Sequence, residues 1–197
     1  GKRVFDDMVE SLGLIEGNIA RAHKLVQNFK KVSVSQLVDD REEMNLPEAV
    51  QDVISLSNVN LKYSGVRVQF DHALATDEQL WIGYRGYLSQ IILNLLTNIE
   101  RYAYPGKLGG VAEISVALGD KDTFVLTVRD FGKGMSEEVA THIFEPFFTT
   151  GRGIGGTGLG MTIVYNLVTT ALHGTIAVQS ALGMGTTFTI AFPRVVP

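Results

Sequence analysis

The chain has 197 residues, 45% hydrophobic and 19% charged, which is enough apolar matter to bury a core and excludes a disordered segment. Seventeen Lys and Arg against 21 Asp and Glu give a net charge of −4, and no basic run is longer than two residues, which argues against binding nucleic acid. The absence of cysteine excludes disulfide frameworks, zinc ribbons, iron–sulfur clusters and thiol nucleophiles, and no apolar run approaches the ~18 residues of a membrane span, so no membrane contact is expected of this stretch.

The chain opens at Gly1-Lys2, which reads as a start cut from a longer protein. Phe5, Leu12, Ile19 and Val26 recur every seven residues, and so do Met8, Ile15, Ala22 and Phe29. The two sets interleave as an a/d seam, which predicts a long helix over Val4–Val32 that seeks a partner helix. Gly13 and Gly17 weaken it by about 1 kcal/mol each relative to Ala, so packing rather than propensity must hold it. Val38–Glu43 reads as a charged, solvated break and places a domain boundary between 1–38 and 39–197.

Asn45, with Glu48 three residues on and Pro47 in the first turn, predicts a helix start, and that helix runs to about Leu61. Val66, Val68 and Phe70 alternate as a strand, and Gln79–Tyr84 reads as another. Leu88–Tyr102 is an apolar helix with a polar stripe. Ala112–Leu118 and Thr123–Arg129 are alternating segments joined by the turn Gly119–Asp122. Ser136 caps a short helix ending near Phe144. A helix over Met161–Leu172 and strands over Thr175–Gln179 and Thr187–Phe192 follow. Strands pairing as hairpins, with helices between the hairpins, predict an α+β fold: a mixed, largely antiparallel sheet with helices on one face.

Three features carry chemistry. On the helix, Asn94, Asn98, Arg101 and Tyr102 fall at i, i+4, i+7 and i+8 and share a face. An amide oxygen there can join the oxygen shell of Mg²⁺ and the arginine can neutralise phosphate, although a plain solvent face has the same pattern. Asp130-Phe-Gly132-Lys-Gly134 follows a strand; the carboxylate can accept from an exocyclic amine, and the glycines admit a flat ring, or they make only a turn. The third is glycine itself, 21 residues where a usual share of about 7% gives roughly 14, with six crowded into Gly151–Gly160 before a helix. Backbone N–H groups there can cradle phosphate. A dinucleotide fingerprint at Gly153–Gly158 fails because no Asp or Glu follows Glu145, and a Walker A loop fails because Leu159 stands where its Lys must be. A mobile glycine lid over a nucleotide held by other residues is the reading left.

Taken in order, Asn94-Leu-Leu-Thr-Asn98, Asp130-x-Gly132-x-Gly134, Phe144-Glu-Pro-Phe-Phe148, Gly156-Thr-Gly-Leu-Gly160 and Gly183-x-Gly-Thr-Thr-Phe188 resemble the motifs of the ATP-binding domain of sensor histidine kinases, relatives of DNA gyrase, MutL and the heat-shock chaperone ATPases. The resemblance spans about residues 86–193 and implies a Bergerat-type α/β sandwich that binds ATP with Mg²⁺. It implies that Asn98 is the Mg²⁺ ligand with Asn94 beside it, that Arg101 and Tyr102 lie near phosphate and base or ribose, and that Asp130 accepts from the adenine amine. Gly132 and Gly134 would line the base, Thr186 would support Asp130 through water, and Gly156, Gly158, Leu159 and Gly160 would wrap the phosphates. Phe144, Phe147 and Phe148 would pack the lid. The first helix is then similar to the second helix of a dimerisation and histidine-phosphotransfer hairpin, through which the parent protein would form a homodimer.

Two departures shape the expected activity. The ATP-hydrolysing members carry a glutamate base where this chain has Asn94, and an amide takes no proton from water, which favours phosphoryl transfer over hydrolysis. The histidine–acid–proline acceptor box is absent: His23, followed by Lys24 and Leu25, reads as a bundle position, and His72, His142 and His173 read as structural. The γ-phosphate is therefore expected to pass to a histidine upstream of Gly1, for relay to a response regulator receiver domain, in a cytoplasmic setting that leaves a membrane anchor in the parent open. The alternatives are a serine-protein kinase of the same superfamily and a phosphotransfer adaptor that has lost nucleotide binding.

Overall fold

A computed structural model of the chain describes residues 40–106, 109–120, 122–151 and 156–197, with the backbone alone over 58–63. The heptad helix, the hairpin and dimer readings built on it, and His23 lie outside the described residues. Glu42–Asn45 forms a short strand, β1, where the sequence reads as a solvated break. The charges of Glu42 and Glu43 stay exposed while Met44 is buried, and this one-sided strand leaves too short an alternation to be seen. Asn45 then caps α1 (Leu46–Ser64): its side chain accepts the Glu48 N–H at 3.0 Å, and Gly65 closes the far end at φ 70°.

The next elements are β2 (Val66–His72), β3 (Leu80–Gly83), α2 (Arg85–Asn98), β4 (Gly110–Leu118), β5 (Thr123–Asp130), α3 (Glu137–His142), α4 (Gly160–Asn166), β6 (Thr175–Ser180) and β7 (Thr186–Pro193). Five strands form one sheet in the order β2-β4-β5-β7-β6, and β1 pairs with β3 in a two-stranded sheet. Among the described residues of this five-stranded sheet, β2 and β4 run parallel and the other neighbours are antiparallel. The mixed, largely antiparallel sheet is as expected, but β2 and β3 do not pair with each other as a hairpin. A parallel β2–β4 pair needs a crossover, and β3 with α2 supplies it.

Alternation along the strands builds the core. Phe124, Leu126 and Val128 on β5 and Phe188, Ile190 and Phe192 on β7 are buried, and their neighbours in between are not. The helical cover adds Leu88, Ile91, Ile92, Leu95 and Leu96 from α2 and Val164 from α4. Trp81, fully buried, meets Phe192 edge-on at 5.3 Å and donates its indole N–H to the Pro193 carbonyl at 3.1 Å. The same alternation reaches the ends of the strands, where Asp130 and Thr186, partners across the β5–β7 ladder, occupy inward positions. A polar pair thus sits where the core phase continues past its apolar residues.

Helices α2 and α4 both change register at their C-terminal ends. After Asn98 the backbone widens into a π-helical segment over Ile99–Ala103, and after Asn166 into another over Leu167–Ala171. The Ile99 N–H is shared between the carbonyls of Leu95 and Leu96 at the first transition. Single π turns inside helices are frequent at functional sites.

Candidate functional site

Three segments meet around the C-terminal half of α2 and its π turn. Asn94 and Asn98 face the start of α4: a Cβ on Gly160 would stand 3.6 Å from Asn94 Oδ1, and Asn98 Nδ2 lies 2.8 Å from Met161 Sδ. Tyr102, one turn on, lies against the glycine segment, since a Cβ on Gly151 would run into its ring and one on Gly156 would come within 2.5 Å of its hydroxyl. Ala103 ends the π turn and holds the loop after β5. Its carbonyl accepts the Lys133 N–H at 2.8 Å, and a Cβ on Gly132 would collide with that same carbonyl. Arg101 stands exposed. The stripe read from spacing is therefore a real edge of the fold, and three of the glycine positions are needed for other groups to approach it.

Asp130 is the most unusual group. It is 6% exposed, and no ion pair reaches it among the described residues. Burial pushes its pKa above the usual carboxylate value, while the Gly132 N–H and the N–H and hydroxyl of Thr186 pull the other way without cancelling it. The Gly132 N–H donates to Oδ1 at 2.9 Å. Gly134 (φ 66°) and Gly185 (φ 76°) let the two loops at this end of the sheet press together, because a Cβ on either would collide with a carbonyl, that of Ala181 or that of Asp130.

The glycine segment is tied to the Phe144–Phe148 stretch. The Phe147 N–H donates to the Gly158 carbonyl at 2.9 Å, a Cβ on Gly158 would strike the Phe147 backbone, and the Thr162 hydroxyl donates to the Phe144 carbonyl at 3.1 Å. Phe144 also packs its ring 5.4 Å from that of Tyr165. Leu159 directly precedes α4, its N–H 3.4 Å from the Thr157 hydroxyl. Residues 152–155, which include Gly153 and Gly155, lie outside the described residues. His72 ends β2, His142 bonds the Glu138 carbonyl at 2.8 Å through Nδ1, and His173 follows the second π turn at φ 53°.

Two side chains here have no counterpart in the sequence reading. The Tyr104 hydroxyl donates to the Val111 carbonyl and accepts from the N–H groups of Val111 and Phe131, at 3.2 and 3.0 Å, pinning the end of β5 to β4. The Ser180 hydroxyl accepts the Met135 N–H at 2.8 Å and lies 3.0 Å from Thr186 Oγ1. Both act on partners brought together by tertiary structure. The available signal was the hairpin register of β6 with β7, which sets Ser180 opposite Thr186.

The donor set fits a nucleotide phosphate with a hard cation better than a metal held by protein alone. Asn94 Nδ2 is buried without any hydrogen-bond partner, and Asn98 commits its amide nitrogen to sulfur and keeps its oxygen. Among the described residues no group of three or more His, Cys, Asp or Glu could hold a metal ion, so a cation here would need an amide oxygen together with ligands from outside the protein. Among the described residues no helix is long and apolar enough to cross a membrane.

Comparison with known proteins bears on the same segments. The sequence profile of the family described as Histidine kinase-, DNA gyrase B-, and HSP90-like ATPase matches residues 83–196. Sensor protein SrrB of Staphylococcus aureus (strain MRSA252) is 27% identical over 201 residues, covering 96% of this chain and 32% of SrrB. Sensor histidine kinase AruS of Pseudomonas aeruginosa is 31% identical over 180 residues, 88% of this chain and 17% of AruS. The chain thus spans a third or less of the length of these relatives. Among solved structures, histidine kinase ThkA in complex with the response regulator protein TrrA matches with a TM-score of 0.70 and 21% identity, over 92% of this chain and 50% of that one, which shows a shared fold.

Proposed function

Because the chain belongs to the family of histidine kinase-, DNA gyrase B- and HSP90-like ATPases, we propose that residues 39–197 are the catalytic ATP-binding domain of a sensor histidine kinase and that residues 1–38 supply one helix of its dimerisation and phosphotransfer hairpin. The observation that carries the nucleotide reading is Asp130. A carboxylate buried without a counter-charge costs stability unless something compensates, and a ligand amine that it alone can accept from is such a compensation.

In this reading Asp130 accepts from the exocyclic amine of adenine, and Gly132 and Gly134 leave room for the ring. The donors of Thr186 partly offset the cost that burial puts on the ionised carboxylate. Tyr102 lies beside the sugar or base, Asn94 offers its unpaired amide N–H to the phosphates, and Arg101 supplies positive charge at the rim. Gly156, Gly158, Leu159 and Gly160 bring backbone N–H groups to the phosphates at the start of α4. Asn98 would hold Mg²⁺ through its amide oxygen; when bound, the ion neutralises charge on the transferring phosphoryl group. ATP supplies the γ-phosphate, and this domain supplies position and electrostatic complementarity, which is most of what phosphoryl transfer requires.

Asn94 stands where a hydrolytic member of the family would carry its base. Its amide cannot deprotonate water, so the bound phosphate is preserved for an acceptor side chain. That acceptor is a histidine outside this chain, and the phosphate then passes to a receiver domain of a response regulator, in the cytoplasm where ATP is available. ThkA, solved with TrrA, supports the class of partner. A fluorescent ATP analogue bound by the chain should be displaced by ATP and poorly by GTP, which presents a carbonyl where adenine has its amine. Equal displacement by both nucleotides would refute the role given to Asp130.

A further inference from the structure

The β4–β5 ladder ends at the rung that pairs Ala112 with Asp130. One step further the same register would pair Val111 with Phe131, and there the Tyr104 hydroxyl takes the place of a backbone rung. Its oxygen accepts the Val111 N–H at 3.2 Å and the Phe131 N–H at 3.0 Å, and its proton goes to the Val111 carbonyl. A phenol has one proton to give and two lone pairs to receive with, so these three bonds fill it. The ring lies against the start of β4, where a Cβ on Gly110 would run into it.

Tyr104 directly follows the π turn that closes α2, and Ala103, the last residue of that turn, accepts the Lys133 N–H at 2.8 Å. Two consecutive residues therefore grip the loop after β5 at two points, Phe131 and Lys133. Between those points lies Gly132, whose N–H donates to Asp130 Oδ1 at 2.9 Å. We propose that Tyr104 is a positioning residue for base recognition: its hydroxyl, standing in for the missing rung, fixes Phe131 and with it the turn in which the Gly132 N–H holds the Asp130 carboxylate. Without that oxygen the Phe131 N–H must find another acceptor, either the Val111 carbonyl across a closing ladder or water. Each choice moves the backbone next to Asp130. Asn94 and Asn98 face the start of α4 instead, so the effect falls on the base and spares the phosphates. This inference rests on the reading of Asp130 as the acceptor for adenine.

The test compares ATP with purine riboside triphosphate, which lacks the exocyclic amine, as Mg²⁺ complexes titrated into the 197-residue chain. Tyr104→Phe removes one oxygen and keeps the ring. It should weaken ATP about three- to tenfold, part of what one hydrogen bond to a charged group is worth, and leave purine riboside triphosphate within about twofold. A general loosening of the sheet would not change the ratio between the two ligands. Equal weakening of both would mean that the hydroxyl only stabilises the fold, and undiminished discrimination would mean that the carboxylate keeps its place without it; either overturns the proposal. Should Tyr104→Phe not fold, Gly110→Ala leaves the hydroxyl in the chain but displaces the ring that carries it, and it should lower discrimination in the same sense. Discrimination as strong as the parent's in that variant overturns the proposal equally. The underlying reading has its own control: if the parent chain does not distinguish the two nucleotides, or Asp130→Asn distinguishes them as well as the parent, it is the role of Asp130 that fails.

Discussion

Asp130→Asn separates binding from stability. Oδ1 is held by the Gly132 N–H at 2.9 Å, so the introduced amide keeps its oxygen on that side and turns its NH₂ toward the ligand. A donor then meets the adenine amine, itself a donor. The loss is that of one charge-assisted hydrogen bond, about 1.5–3 kcal/mol, or roughly 10- to 150-fold in Kd for ATP. The nucleotide-free protein should behave in the opposite way. Burial raises the Asp130 pKa, so the folded chain holds the proton more tightly than the unfolded one. Stability from this group is then fully present below the unfolded value, about 4, and is lost as pH rises through the folded value. An amide at this position does not titrate, so the Tm of Asp130→Asn relative to the parent should climb with pH across that window and level off above it. ATP affinity of the parent should fall as pH drops through the same window, as the acceptor becomes protonated. Displacement titration of ATP and melting curves from about pH 4 to 8 read both effects. Unchanged affinity for ATP, or a relative Tm that climbs toward acid, would refute this reasoning.

Other substitutions probe the rest of the site and its frame. Asn98→Ala should abolish the Mg²⁺ dependence of ATP affinity while leaving Mg²⁺-independent binding in place, measured by titration with and without chelator. Gly158→Ala puts a Cβ into the Phe147 backbone at φ 70° and should cost about 1–3 kcal/mol in urea unfolding, with weaker nucleotide binding. Tyr104→Phe leaves the Val111 and Phe131 N–H groups without their acceptor and should cost about 1–3 kcal/mol by the same measurement. Trp81→Ala, far from the nucleotide site in role, should cost about 3–5 kcal/mol by emptying a fully buried position.

What could be read in advance depended on how local each feature is. The Asn45 cap and the turn after β4 depend on residues a few positions apart, and the structure has both. The polar stripe from Asn94 to Tyr102 was legible because helical spacing puts those residues on one edge. Its widening at Ile99 was not, since a π turn follows from how the segment packs rather than from its composition. β1 escaped because two glutamates hide a strand whose pairing partner, β3, lies some forty residues away in the chain. Ser180 and Thr186 each fell one residue past the predicted end of a strand, yet together they form the rung that faces Asp130. Tyr104 follows the stripe by two residues, and its three backbone partners come from β4 and the end of β5. The motif residues were visible as a pattern, and the residues that hold them in place were not, because only the folded sheet brings those together.

Binding of Mg·ATP at the site bounded by Asp130, Asn98 and the glycine segment is tested most directly by titration calorimetry. ATP with Mg²⁺ should give a saturable heat at one site per chain, reduced by chelator and, in Asp130→Asn, saturating only at roughly 10- to 150-fold higher ATP. No heat with ATP and Mg²⁺ from the folded chain, or saturation of Asp130→Asn at the parent's ATP concentration, would contradict it.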